Sequence, residues 1–291
     1  MKEVRSIKKV LLVLLLFGIS LLLTIYPWIA NYLFEHRTDS VANAVNQAAQ
    51  EIDTSEQEAA LQDAQEYNRM LTTGHVALVD PFIEEQNAMD ADQYNSLLNV
   101  GDDGVMCTIE IPVIDVNLPV YHGTSDSVLN KGIGHLQGTS LPIGGESTHS
   151  VLTGHTGLSK AKLFTDLTEL KKDDIFFIHV LGKTLAYRVE SMQVVLPSEL
   201  SSLTVQSGKD LCTLVTCTPY GVNSHRLLVR GVRTDYQEAK EEVKKEPERT
   251  VESNWMNEYK RALCIGMFCF ISTLVMVQII RRVRATRNQY M

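Results

Sequence analysis

The chain has 291 residues and a formal net charge of −8, enough for one domain of ordinary size with attachments. Because basic residues are not in excess, the composition excludes nucleic acid as an expected partner. The 5 cysteines are too few for a dense disulfide scaffold, and no C-x-x-C pair is present. We therefore predict no structural zinc site, no other metal site and no cofactor.

Two long uncharged runs lie near the ends of the chain. The first covers residues 10–30 and follows a basic tail, and the second covers residues 262–280 and precedes a cluster of arginines. About 20 apolar residues are enough to span the hydrocarbon core of a bilayer. Both runs are therefore predicted to be transmembrane helices, so the membrane is an expected partner of this chain.

The basic flanks of these runs predict their orientation. Segments rich in lysine and arginine stay on the cytoplasmic side, which assigns the tails 1–9 and 281–291 to the cytoplasm and the body of the chain to the outside. A cleaved signal peptide is the alternative for the first run, but the run exceeds the usual apolar region of about 7–15 residues, and no A-x-A site lies directly after it. A buried core helix is the alternative for the second run, and the arginines at its end argue against it.

Two further segments flank the body of the chain. Residues 31–74 are rich in Ala, Gln and Glu, which favour helix, with a break expected near Asp53-Thr54-Ser55. Residues 236–261 carry charges of both signs and almost no aliphatic side chains, so they cannot bury a core. We interpret the first segment as one or two helices and the second as a charged linker, helical in part.

The body of the chain has the period of two that is typical of β-strands. Turn signals separate short apolar runs, and two short helices are predicted, one from about Ser125 and one over 159–171. Many short strands with few helices indicate a mainly β fold, either a closed barrel or a sandwich. The predicted strands begin near Val105 and continue over 117–121, 149–154, 175–181, 184–195, 211–217 and 226–233.

Three chemically active side chains are predicted at strand ends. Cys217 ends one strand, Arg226 begins the next, and His155 follows a third strand between small residues. A cysteine nucleophile needs a base or a cation nearby, because the thiolate is the reactive form. Alternation places Cys217 on one face with Leu211, Thr213 and Val215, a row that we predict to face the core.

The other cysteines have simpler interpretations. Cys107 and Cys212 are expected to be buried free thiols, although a bridge between them is the alternative. Cys264 and Cys269 fall inside the second predicted span. His225 lies beside Arg226 and is a second candidate imidazole, but neighbouring side chains of a strand point to opposite faces.

Residues 75–235 resemble the sortase family, extracytoplasmic cysteine transpeptidases of Gram-positive bacteria. The resemblance is carried by the motifs "LTGHTG", "TLVTC" and "HRLLVRG", which occur in the family order. It implies that Cys217 is the nucleophile, His155 the general acid/base, and Arg226 the residue that orients substrate and stabilises the oxyanion. The fold that it implies is a closed eight-stranded sortase β-barrel with short helices over residues 91–235, flanked by the helical N-terminal region and two transmembrane helices.

The segment "LVDPFIEE" resembles the lid of class C, or pilus-assembly, sortases. The resemblance implies a lid over residues 75–90, in which Asp80 pairs with the catalytic arginine and Phe82 covers the cysteine after Pro81. An ordinary Asp-Pro turn is the alternative interpretation of these residues. The second predicted span is also typical of this class.

The resemblance implies a reaction as well as a fold. A Leu-Pro-x-Thr-Gly-like sorting signal is cleaved after Thr, a thioester forms on Cys217, and a pilin lysine attacks it to form an isopeptide bond. The implied partners are pilin subunits that carry such signals. One alternative function is a housekeeping sortase, whose partner would be a cell-wall precursor. A hydrolytic peptidase and a non-enzymatic scaffold are two further alternatives. The expected location is the cell membrane, with an extracellular catalytic domain and both termini cytoplasmic. Candidates for an apolar substrate groove are Val120, Ile133, Leu136 and Leu141, with His135 either structural or lining that groove.

Overall fold

The computed structural model describes residues 2–73, 78–82, 91–99, 104–158, 160–245 and 253–289. The chain divides into two compact units. One unit consists of the two terminal segments, residues 1–26 and 252–291, and the other consists of residues 27–251. The second unit contains the whole predicted β domain.

Eight strands form a closed barrel in the larger unit, in the order β1-β2-β3-β4-β7-β8-β6-β5. This confirms the predicted fold. The strand β3, which runs parallel to β2 and antiparallel to β4, was not predicted because three residues are too few to display a period of two. The strands are β1 Val105–Ile111, β2 Val116–His122, β3 Ile133–His135, β4 Thr148–Thr153, β5 Ile175–Val180, β6 Lys183–Val195, β7 Asp210–Thr218 and β8 His225–Thr234.

Six α-helices accompany the barrel in the described residues. The predicted break near Asp53 is confirmed, because the Asp53 side chain accepts hydrogen bonds from the Ser55 backbone N–H at 2.8 Å and hydroxyl at 2.6 Å and so caps the second helix. The helices are α1 Lys2–Glu51, α2 Thr54–Thr73, α3 Ala91–Ser96, α4 Asp126–Leu129, α5 Tyr236–Lys245 and α6 Asn254–Gln289.

The predicted helix over 159–171 is wrong. The segment contains only a 3₁₀ turn, Thr165–Glu169. Leu163 has a φ of +43°, in the left-handed region, and this conformation interrupts a helix at that point. The apolar residues of this segment are nevertheless buried in the main core; they are Leu163, Phe164, Leu167 and Leu170. Their spacing in the sequence therefore indicated burial correctly, but it did not indicate a helix.

Apolar side chains pack on both faces of the barrel wall. Its interior, the main core, contains Leu152 of β4, Leu214 of β7 and Val229 of β8. A second and smaller group lies on the outer face of the same three strands and the residues beside them. We call this group the outer cluster, and its buried members are Leu136, Val151, Leu203, Val215 and Leu228.

Side-chain hydrogen bonds fasten the helical segments to the barrel. Asn68 of α2 accepts a hydrogen bond from the Leu141 backbone N–H at 2.7 Å and donates one to the Leu141 carbonyl at 3.2 Å. On the other side of the barrel, Arg188 of β6 donates two hydrogen bonds to the carboxylate of Glu242 in α5, at 2.9 and 2.6 Å. The predicted linker 236–261 therefore begins as a helix that is bound to the barrel.

Among the described residues, one helical segment has the length and apolar composition needed to cross a membrane. It covers Asn254–Met276 in α6 and overlaps the predicted span 262–280. The other predicted span, 10–30, lies in α1 and begins among residues whose side chains fall outside the described set. That span remains a prediction.

Candidate active site

Cys217 and Arg226 face each other across two adjacent strands. Antiparallel pairing of β7 with β8 sets Cys217 opposite Arg226 and Thr218 opposite His225. Residues that pair in this way project their side chains to the same face of the sheet. The Cys217 thiol and the Arg226 guanidinium therefore share one face, while His225 points to the other and is excluded as the partner of the thiol.

His155 follows the end of β4, which runs parallel to β7. The Gly154 backbone N–H donates to the Val215 carbonyl at 3.0 Å, and the buried Thr216 hydroxyl donates to the Gly154 carbonyl at 2.7 Å. These two bonds tie the residue before His155 to the residues before Cys217. A Cβ at Gly154 would lie 2.6 Å from Ile133 Cδ1 and 2.8 Å from the Phe164 ring, so only glycine fits here.

We expect Thr216→Val to lower kcat/KM by about tenfold for a reaction that uses Cys217 and His155 together. The change keeps the side-chain shape but leaves the Gly154 carbonyl without its donor, at a cost of about 1–3 kcal/mol in unfolding free energy. The loss of that bond loosens the position of His155, while alkylation of Cys217 by a thiol reagent should be unchanged. Steady-state kinetics and alkylation rates measure the two effects.

Thr213→Val is the matched control for this prediction. The Thr213 hydroxyl, also on β7, lies 2.7 Å from His149 Nε2, four residues from Cys217. Its loss should lower stability to a similar extent and leave kcat/KM within about twofold of the parent. Equal kinetic losses in the two variants would contradict a positioning role for Thr216.

Residues 78–82, which we call the lid, cover this face of the barrel. Asp80 is 4% exposed and pairs with Arg226 through two hydrogen bonds, from Nε to Oδ1 at 2.9 Å and from Nη2 to Oδ2 at 2.6 Å. Arg226 Nη1 also donates to the Asn223 and His225 carbonyls, both at 3.1 Å. A bidentate pair of this kind is strong and directional, so it fixes the lid over the site.

Phe82 lies between the side chains of His155 and Arg226. Its ring centroid is 5.7 Å from that of His155 and 4.8 Å from Arg226 Cζ. Phe82 and Leu78 also pack against the outer cluster. The ring therefore contacts both His155 and Arg226, on the face of the barrel that Cys217 shares with Arg226.

Burial dominates the electrostatics of the closed site. It raises the pKa of the Cys217 thiol, an effect that Arg226 opposes and Asp80 reinforces. Burial also lowers the pKa of His155. The charge of Asp126 opposes this shift, and the charge of Lys160 adds to it. Both shifts favour the neutral thiol with the neutral imidazole, which is the less nucleophilic combination.

The structure places three of the four groove candidates elsewhere. Val120, Ile133 and Leu141 are fully buried in the main core, where they contact other core side chains, and so they do not line a groove. Leu136 belongs to the outer cluster beneath the lid. The apolar pattern marked these residues as buried, but a period of two does not tell which face of a strand is the interior of a barrel.

His135 is a buried structural residue. Its Nδ1 lies 2.8 Å from the Tyr94 hydroxyl and its Nε2 lies 2.9 Å from the Ser140 carbonyl. Burial lowers the pKa of His135 to about 4, although the bond to Ser140 opposes the shift. A neutral ring with both nitrogens occupied is not available for substrate.

Two features near the site were not predicted. Leu78, two residues before Asp80, packs on the outer cluster and extends the apolar surface of the lid. Leu200 and Leu203, in the connection between β6 and β7, pack against the same cluster from another side. Leu78 was detectable from the apolar "ALV" that precedes Asp80, whereas the connection carries no comparable pattern.

Comparisons with known proteins agree with this geometry. The Sortase domain family model matches residues 109–234. The solved sortase C-1 of Actinomyces oris is 49% identical, with a TM-score of 0.59, over 62% of this chain and 99% of that one. Sortase C of Streptococcus pneumoniae, whose structure was described for its catalysis and pilin substrate specificity, is 41% identical with a TM-score of 0.60, over 68% of this chain and 97% of that one.

The similarity to curated relatives is shorter. Sortase A of Streptococcus agalactiae is 30% identical over 114 residues, which are 38% of this chain and 45% of that protein. This chain therefore matches about half the length of such relatives.

A closed eight-stranded barrel with a cysteine, an arginine and a histidine on one rim defines a cysteine transpeptidase of the sortase type, and this chain belongs to the sortase family. The two solved structures named above are class C sortases, which confirms the class that the lid motif indicated.

Proposed function

We propose that this chain is a membrane-anchored pilus sortase that joins pilin subunits covalently. It cleaves a Leu-Pro-x-Thr-Gly-like signal after Thr, holds the acyl group as a thioester on Cys217, and transfers it to a pilin lysine. The observation that carries the proposal is the pairing of Cys217 with Arg226 on adjacent strands, beneath a lid whose Phe82 ring also contacts His155. Similarity to the sortase C of Streptococcus pneumoniae supports pilins as the substrate class.

Each step of the reaction has a residue to carry it. The Cys217 thiolate attacks the Thr carbonyl carbon, the C–N bond to Gly breaks, and the leaving amine takes a proton from the His155 imidazolium. A lysine amine then attacks the thioester, the imidazole accepts its proton, and the thiolate leaves. One peptide bond is exchanged for one isopeptide bond, and the enzyme is regenerated.

The protonation state sets how much of the enzyme is reactive. With ordinary pKa values of about 8.5 for Cys and 6.5 for His, the thiolate–imidazolium pair is only about 1% of the population. Burial under the lid moves both pKa values in the unfavourable direction. Displacement of the lid reverses the contribution of burial and of Asp80, while Arg226 remains to stabilise the thiolate.

Arg226 changes partners in this mechanism. In the closed site its Nε and Nη2 donate to Asp80. When Asp80 leaves, the two donors are free on the face that holds Cys217, where they bind the oxyanion that forms as the Thr carbonyl is attacked. Arginine keeps its charge throughout the working pH range, so this stabilisation does not depend on pH.

The same proposal covers the membrane location. The apolar segment Asn254–Met276 and the uncharged run 10–30 are assigned as two transmembrane spans, with both termini cytoplasmic and the barrel outside. This arrangement keeps the site on the surface where pilins are exported.

A polymerisation assay tests the function. The full chain in detergent is mixed with a pilin that carries both a sorting signal and acceptor lysines, and products are separated by denaturing electrophoresis and mapped by mass spectrometry. We expect a ladder of covalent polymers joined by isopeptide bonds. Release of hydrolysed pilin alone would instead identify a peptidase, and transfer only to a cell-wall precursor would identify the housekeeping alternative.

A further inference from the structure

The hydroxyl of Thr153, the last residue of β4, is buried without a partner. Thr153 is 0% exposed, and its Oγ1 has no hydrogen-bond partner within the part of the chain that the structure describes. Buried hydroxyl groups are nearly always hydrogen-bonded, because losing water without a replacement is unfavourable. An unpaired hydroxyl at this position therefore calls for a functional explanation.

The strand geometry directs Thr153 toward the active site. Its neighbour Leu152 belongs to the main core, and the missing Cβ of Gly154 would point at core side chains. Alternation therefore sends Thr153 to the opposite face, together with Val151 of the outer cluster. Its partner on β7 is Val215, two residues before Cys217 on the same face.

The residues that pair with Thr153 in the sheet, Gly134 and Val215, have no polar side-chain atom. Val151 and Val215 are members of the outer cluster, and Phe82 and Leu78 of the lid pack against that cluster. On the other flank, Thr153 pairs with Gly134 of β3, which has no side chain to offer a hydrogen bond. On this face of β4, Thr153 is the residue with a polar side chain that lies nearest in sequence to His155. Its hydroxyl becomes accessible when the lid is displaced.

We propose that the Thr153 hydroxyl binds a main-chain polar group of the acyl-donor peptide once the lid is displaced. The inference rests on the proposed function, since it names a binding group for that same substrate. A hydroxyl both donates and accepts, so it can pair with a carbonyl or an N–H of an extended peptide. Because Thr153 is two residues from His155, such a bond aligns the scissile amide between His155 and Cys217.

The test compares Thr153→Val with its parent in peptide binding. Valine keeps the β-branched shape and removes only the hydroxyl. The parent is the full chain in detergent with the substitutions Asp80→Ala, Phe82→Ala and Cys217→Ala, which open the lid and prevent turnover. The probe is a fluorescein-labelled peptide containing Leu-Pro-Glu-Thr-Gly, and its Kd is measured by fluorescence anisotropy.

We expect Thr153→Val to weaken binding by about 5- to 10-fold, the value of one hydrogen bond. The melting temperature should stay the same or rise, because no partner is lost within the protein. Thr153→Ser should bind within about twofold of the parent, since it keeps the hydroxyl.

Ser150→Ala is the matched control. Ser150 lies on the same strand, and its Oγ is also buried without a partner among the described residues, but alternation directs it to the barrel interior. It should leave the Kd unchanged. Equal weakening by Ser150→Ala would overturn the inference, because the effect would then be a general disturbance of β4.

The remaining outcomes separate the inference from the proposed function. If the parent binds the peptide and Thr153→Val binds it equally well, the inference is overturned and the function stands. If the parent binds no sorting peptide, both are overturned. Unfolding of Thr153→Val would also overturn the inference, because it would show that the hydroxyl has a structural role.

Discussion

Cys217→Ala is expected to abolish thioester formation and pilin polymerisation, with a loss of at least about a thousandfold in rate. In the proposed mechanism the Cys217 sulfur is the atom that forms a covalent bond to the substrate, and neither Arg226 nor His155 can replace it. The fold should be unaffected, because Cys217 lies on the outer face of the barrel, beside the outer cluster and away from the main core. Intact-mass spectrometry after incubation with a sorting peptide measures the acyl-enzyme directly.

Cys212→Ala is the control for this result. Cys212 is a free thiol on the same strand, but it is fully buried in the main core, and burial raises its pKa well above the ordinary value. We expect this variant to form the thioester at the parent rate. Acylation that persists in Cys217→Ala would show that a different nucleophile carries the reaction.

Opening the lid should make Cys217 more reactive. We expect Asp80→Ala with Phe82→Ala to increase the rate of alkylation of Cys217 at neutral pH by about 10- to 100-fold. An increase of this size corresponds to about 1.4–2.8 kcal/mol in favour of the open lid, because each 1.4 kcal/mol changes an equilibrium about tenfold. Removing one partner of a buried ion pair can cost up to about 3–5 kcal/mol, so the expected effect lies within what this change can supply. The closed lid loses both its ion pair to Arg226 and its aromatic cover.

The pH dependence of alkylation should shift as well. Burial and the Asp80 charge both raise the pKa of Cys217, and Arg226 opposes them. Removing the first two while keeping Arg226 lowers the pKa, so the rate should begin to rise at a lower pH in the lid variant than in the parent. The measurement is the alkylation rate as a function of pH, with the modified residue located by peptide mapping.

Glu242→Ala is the matched control for the lid variant. It also breaks a bidentate ion pair, with Arg188, but on the side of the barrel where α5 binds. We expect no change in the alkylation of Cys217. If the lid variant behaves like this control, residues 78–82 do not gate the thiol.

The sequence predicted the parts of the site that depend on local pairing. Cys217 was predicted to end one strand and Arg226 to begin the next, across a short turn after Pro219, and the antiparallel register sets the two residues opposite each other. His155 was predicted from the small residues around it, and Gly154 is indeed packed so closely that no side chain fits. These features are determined by residues near one another in the chain.

The sequence did not reveal which side of each strand faces the barrel interior. We predicted that Leu211, Thr213, Val215 and Cys217 face the core, yet Val215 lies in the outer cluster while Cys212 and Leu214 lie in the main core. The three misplaced groove candidates have the same cause. Barrel closure depends on pairings between strands that are distant in the sequence, such as β1 with β5, and a local sequence pattern does not predict such pairings.

The two apolar layers of the barrel have a consequence for how the enzyme tolerates change. The main core and the outer cluster lie on opposite faces of β4, β7 and β8. Substitutions at sites that share no partners usually have additive effects on stability. A substitution in the buried outer cluster therefore has its own cost in stability, but that cost does not include repacking of the main core. Under the proposed function, such a substitution would change the layer beneath the lid, while the interior continues to specify the same barrel.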